Sequence, residues 1–79
     1  MTNNEKYVDA FIKAFLVEES ELINLKYQSI TTWDSVGHMG LIAALEEAFD
    51  VELDIDDIID FSSFETGKEI LKKYNISIK

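Results

Sequence analysis

Trp33-Asp34-Ser35-Val36-Gly37-His38-Met39-Gly40-Leu41-Ile42-Ala43-Ala44-Leu45-Glu46-Glu47-Ala48-Phe49 is the stretch that decides the fold. Met39, Ile42, Leu45 and Phe49 recur at helical spacing, and Leu41, Ala44 and Ala48 broaden the stripe. A stripe this wide predicts a largely enclosed helix from Ser35 to Phe49. Asp34 or Ser35 can cap its start, because both side chains accept from the free N–H groups of a first turn. The stretch also contains the only Trp, the only His and two of the three glycines.

On its N-terminal side, Thr2-Asn3-Asn4-Glu5 reads as a capping box with Thr2 as N-cap. Val8, Phe11, Ile12, Phe15 and Leu16 then form a core-facing stripe, which predicts a first helix from Asn4 to Leu16. The segment from Val17 to Trp33 has no sustained period. A loop this long in a small domain needs anchors, and Leu22, Ile23, Leu25, Tyr27, Ile30 and Trp33 supply them. Ser20 to Asn24 has room for one turn of helix.

On the C-terminal side, Val51-Glu52-Leu53 is too short to stand as a strand. Asp54 is placed to cap a brief helix from Ile55 to Asp60, with Ile55, Ile58 and Ile59 pointing inward. Ser62-Ser63-Phe64-Glu65 reads as a second capping box, opening a last helix that continues to Tyr74. Lys72 and Lys73 complement the dipole of its last turn, and Asn75 stops it. The expected fold is all-α. It is a small four-helix bundle of three main helices and one short helix, with a long loop between helices 1 and 2, in a single domain over residues 1–79.

The 79 residues leave no room for a second core, and 47% hydrophobic content suits a globular chain. With no cysteine there is no disulfide framework, thiol nucleophile or zinc–thiolate site. No basic segment followed by an apolar run opens the chain, so no signal peptide is expected. No apolar run approaches the roughly 20 residues of a membrane span, and the expected location is the cytoplasm. The net charge is −9, and no positive charge falls between Lys26 and Lys68. That field repels nucleic acid and anionic lipid, and it attracts basic patches on other proteins. A monomer is expected.

The residues offer little for catalysis. A serine hydrolase needs a base beside its nucleophile and a third group to orient that base. His38 follows Ser35 by three residues, but neither a Gly-x-Ser-x-Gly elbow nor an oxyanion loop accompanies them. His38 reads instead as a partly exposed helix residue that tunes a partner surface. The acidic run Asp54 to Asp60 lacks the central Gly and terminal Glu of a calcium loop. No structural metal is expected, and Glu46, Glu47 and Asp50 would support only weak, exchangeable divalent binding. Ser35 remains, as a residue modified by another protein. A hydroxyl at a helix N-terminus is exposed, and the N–H groups and dipole there receive an attached phosphodiester.

Asp34-Ser35-Val36, with Met39 four residues after the serine and then Leu41 to Asp50, resembles the acyl carrier protein family. The likeness extends over almost the whole chain: an amphipathic first helix, a long loop, the Asp-Ser helix, a short acidic helix and a capped last helix. The resemblance implies that Ser35 carries 4′-phosphopantetheine, transferred from coenzyme A by a phosphopantetheinyl transferase (a holo-carrier synthase). The thiol of that arm would hold acyl groups as thioesters, and the chain itself would not be an enzyme. Asp34 would belong to the recognition motif, with Val36 and Met39 as apolar contacts. Glu46 and Glu47 would be acidic contacts for the basic docking patches of acyl-loading and acyl-transferring enzymes. The core stripe would double as an acyl pocket, with Met39, Ile42, Leu45, Leu53, Ile58, Phe64 and Leu71 as its candidates. The bulk of Ile59, Phe61 and Phe64 narrows that space and favours short or polar cargo.

Two features depart from the usual carrier of fatty-acid synthesis. Gly37 and Gly40 occupy early turns where acidic residues are common, each costing a helix interior roughly 1 kcal/mol relative to Ala. Trp33 and His38 resemble specialised, stand-alone carriers, which implies service in a dedicated pathway. Carriers of fatty-acid, polyketide and peptidyl or aminoacyl pathways share this pattern. A reading from another class is an acidic helical adaptor that binds a basic partner without a prosthetic group.

Overall fold

In the computed structural model, which describes residues 1–78, the Thr2 hydroxyl accepts from the Glu5 N–H at 3.1 Å. The Glu5 carboxylate accepts in return from the Thr2 N–H at 2.9 Å. This reciprocal cap starts α1, Asn3–Phe15, which buries Tyr7, Ala10, Phe11 and Phe15. Val8 and Ile12 pack against that core from its edge. Leu16 does not join the stripe. It is the C-cap, in the left-handed region at φ 58°, with its N–H closing on the Ile12 carbonyl. That turn carries its side chain away from the core and leaves it 85% exposed.

The long connection is pinned as its apolar residues require. A 3-10 helix, Glu19–Asn24, buries Leu22, and Leu25 and Trp33 complete the anchors while Ile23 and Tyr27 stay outside. Lys26 and Ser63 form an isolated antiparallel bridge. Around it the Tyr27 N–H donates to the Ser62 carbonyl at 2.8 Å, and the Phe64 N–H to the Leu25 carbonyl at 3.0 Å. The loop is thereby stitched to the segment that leads into the last helix.

α2, Ser35–Phe49, buries Leu41, Ile42 and Leu45 and packs chiefly against α1. It is less enclosed than its composition predicts. Val36 and Met39 lie on its open side, 79% and 53% exposed. α3, Ile55–Asp60, also departs from expectation. Ile55 and Ile59 are more than two-thirds exposed, at 73% and 71%, and the buried side chain of the helix is Asp57. Phe61, four residues on, continues the same inward face. Asp57 is compatible with that position because both its oxygens are bonded: Tyr74 Oη donates to Oδ2 at 2.5 Å and Lys73 Nζ to Oδ1 at 2.9 Å. Asp54 stands at the N-cap position without a side-chain capping bond. Its N–H donates instead to Tyr74 Oη at 2.9 Å.

α4, Phe64–Lys72, is capped by Ser63, whose hydroxyl accepts from the Thr66 N–H at 2.9 Å. The cap lies one residue later than the Ser62–Glu65 pair, with Ser63 capping through its side chain while also pairing with Lys26 in the bridge. The helix closes before Tyr74, and Asn75 takes the left-handed turn expected of a stop at φ 64°. Gly67 lets α4 lie close to its neighbours, since a Cβ there would strike the Phe61 ring and the Tyr7 hydroxyl. Tyr7 donates to the Phe64 carbonyl at 2.5 Å. Burial, reinforced by the charge of Glu65, holds its phenol above the ordinary range. The result is an all-α bundle measuring 30 × 26 × 19 Å, without a strand among the described residues. None of the described helices is long and apolar enough to cross a membrane.

Candidate functional site

Ser35 owes its position to the residue two places before it. Trp33 is fully buried, with its ring stacked on Phe15 at 4.8 Å between centroids and edge-on to Phe11 at 5.7 Å. The neighbouring Thr32 hydroxyl donates to the Phe15 carbonyl at 3.0 Å. These contacts fix the end of the loop against the C-terminus of α1. Asp34 then caps α2, its Oδ1 accepting from the Gly37 N–H at 2.8 Å. Ser35 is therefore the first helical residue rather than the cap, and it is exposed. The N–H groups of Ser35 and Val36 have no acceptor among the described residues, as first-turn geometry requires.

A cleft of about 470 Å³ opens beside Ser35, between the start of α2 and α3. Its walls are Tyr27, His38, Met39, Ile55, Ile58, Ile59, Phe61 and Ser62, and most of that surface is apolar. It is larger than the groove between α1 and α2, about 360 Å³, where Lys6, Asp9, Lys13 and Glu47 stand among Met1, Ala10, Ala44 and Ala48. Charge surrounds the cleft rather than lining it, from Asp34, Asp56 and Asp60, all exposed.

His38 is held on both sides. Trp33 Nε1 lies 2.9 Å from His38 Nδ1, and His38 Nε2 lies 2.7 Å from the Ile58 carbonyl oxygen. An indole N–H can only donate and a carbonyl can only accept. The network therefore assigns the neutral imidazole with its proton on Nε2. The ring is partly exposed and ties the Ser35 loop, α2 and α3 together.

The sequence-predicted residues separate into three groups. Ser35, Met39 and Ile58 meet at the cleft, with Val36 and Asp34 at its rim. Ile42, Leu45, Leu53, Phe64 and Leu71 lie in the core cluster, at most 6% exposed. Glu46 and Glu47 diverge: Glu46 Oε2 accepts from the Leu53 N–H at 2.9 Å, while Glu47 is exposed toward the α1–α2 groove. Sequence reasoning missed Ile55 and Tyr27 as cleft residues. The available signal was Asp57, whose hydrogen-bond partners Lys73 and Tyr74 lie just past the end of α4 and hold α3 with Asp57 inward and Ile55 and Ile59 outside. Among the described residues, no group of three or more His, Cys, Asp or Glu side chains is gathered for a metal ion.

No protein-family model, curated protein or solved structure matches the chain.

Proposed function

We propose that the protein is a non-catalytic acyl carrier in which Ser35 accepts 4′-phosphopantetheine from coenzyme A. The observation that supports this reading most is the exposed Ser35 hydroxyl on the first turn of α2, beside an apolar cleft. The residues fit the group. The unpaired N–H groups of Ser35 and Val36 favour a phosphodiester at the serine oxygen. The cleft walls suit an apolar group carried next to it. His38 does not serve as a base for Ser35, since both its nitrogens are engaged elsewhere. A phosphopantetheinyl transferase would supply the proton acceptor.

When bound, the arm supplies a terminal thiol that holds acyl groups as thioesters. The chain's own residues position and shelter. Asp34 and Trp33 fix Ser35, while Met39, Ile55 and Ile59 offer an apolar surface to the cargo or to a partner enzyme. The acidic field favours partners with basic docking patches in a fatty-acid, polyketide, peptidyl or dedicated pathway. The test is to co-express the chain with a broad-specificity phosphopantetheinyl transferase and weigh it beside Ser35→Ala. The expected outcome is a phosphopantetheine mass gain that Ser35→Ala abolishes. No gain in the unmodified sequence would leave the acidic adaptor as the better reading.

A further inference from the structure

His38 is the polar ring in the wall that the cleft beside Ser35 shares with the aromatic core, next to the core residue Phe61. His38 faces the cleft together with Met39 and Ile58. Behind it, the ring lies 15° from the plane of buried Trp33 at 6.2 Å and meets Phe61 edge-on at 6.2 Å. Its two nitrogens close the wall, one to the Trp33 indole and one to the Ile58 carbonyl. We propose that His38 is a specificity-determining residue that closes the inner end of the cleft and limits the length of the acyl chain carried at Ser35. The proposal rests on the carrier reading above.

The physical reason is that hydrocarbon cannot replace either hydrogen bond. A chain entering from Ser35 first gains apolar contact with Met39, Ile55, Ile58 and Ile59. To go deeper between α2 and α3 it must part them at the His38–Ile58 contact. That would strand an imidazole N–H and a carbonyl against methylene groups, and displacing the ring would also orphan the indole N–H of fully buried Trp33. Chain added beyond the cleft therefore gains nothing inside the protein. Short acyl groups are sheltered, and longer ones leave their ends in water.

The test uses a transferase that accepts acyl-coenzyme A, loading acetyl, butyryl, octanoyl and dodecanoyl forms that are checked by mass. Melting temperatures are then compared with that of the unacylated, phosphopantetheine-bearing form. In the unmodified sequence the gain should rise through the short chains and level off, and in His38→Ala it should continue to the longer ones. An identical length dependence in both would overturn the proposal, as would a gain that climbs through dodecanoyl in the unmodified chain. A second measurement needs no variant. The imidazole ¹⁵N shifts of His38 should report the Nε2–H tautomer in the unloaded protein and in every acyl form, and its loss in the dodecanoyl form would overturn the proposal. Absence of any mass gain is a separate outcome that overturns the carrier reading itself.

Discussion

Gly37 lies against the backbone of Thr32 so closely that a Cβ would overlap the carbonyl oxygen. Gly40, one turn further along α2, would meet nothing within 4 Å of such an atom. Two glycines that look equivalent in the sequence therefore differ in cause. Gly37 permits the tight entry from the Trp33 anchor into the helix that begins at Ser35, and Gly40 sits on open surface.

Opposite responses to the same substitution follow. Gly40→Ala adds helix propensity without a clash and should raise stability by about 0.5–1 kcal/mol. Gly37→Ala must displace Thr32, which its hydroxyl bond to Phe15 resists, and should cost more than about 1 kcal/mol. Urea melts of the two variants at equal protein concentration check both signs. A stabilised Gly37→Ala would show that the loop yields at Thr32.

Helix order, the α1 cap and most of the core were legible because they rest on local chemistry. Thr2 and Glu5 meet across one turn, and Phe11, Phe15, Ile42 and Leu45 follow the helical period. The errors arose where tertiary contacts overrode that period. Ile55 and Ile59 read as inward because apolar residues usually are, and of the three isoleucines only Ile58 packs against the core. Yet Lys73 and Tyr74, sixteen and seventeen residues away from Asp57, bind its carboxylate and turn the helix over. Part of the cleft wall depends on that rotation, so Met39 and Ile58 could be named from the pattern, while Ile55 and Tyr27 could not. His38 was legible as a residue beside Ser35. Its bond to Ile58, twenty residues on, belongs to the fold.

The Asp57 cluster should give the protein an acid-sensitive component. Hydrogen bonds from Tyr74 and then Lys73 hold its carboxyl below the ordinary carboxylate range. A depressed folded value means the stabilisation is fully present above the unfolded aspartate value of about 4, and is lost as pH falls through the folded one. Asp57→Asn should lower the melting temperature at neutral pH and flatten its decline under acid. Glu5, also held low by its bonds to Thr2, leaves a residual slope of the same sign. Melting temperatures of both chains from neutral pH to below pH 4 make the comparison, and parallel curves would remove Asp57 as a source.

Asp34 combines a cap with a charge beside Ser35, and two substitutions separate them. Asp34→Ala deletes the acceptor for the Gly37 N–H and should cost about 1 kcal/mol. Asp34→Asn keeps an equally good cap and should stay within about 0.5 kcal/mol of the original. If the transferase reads the carboxylate itself, Asn slows phosphopantetheine transfer at unchanged melting temperature. If it reads only the position of Ser35, Asn transfers normally and Ala alone is impaired. Transfer rates set beside melts decide between them.

Glu46 and Glu47 should not behave as a pair. Glu46→Lys removes the acceptor for the Leu53 N–H that holds the α2–α3 connection, and should cost about 1–2 kcal/mol. Glu47 is exposed beside Lys6 and Lys13, and Glu47→Lys should change stability by no more than about 0.5 kcal/mol. Only the second variant therefore tests electrostatic docking through α2 cleanly. If basic partner surfaces approach this helix, Glu47→Lys slows transfer at low salt, and rising salt slows the unmodified chain until the two rates converge. Equal rates for both chains at low salt would move the docking contribution to Asp56 and Asp60 on α3, where the exposed acids flank Ile55 and Ile59 instead.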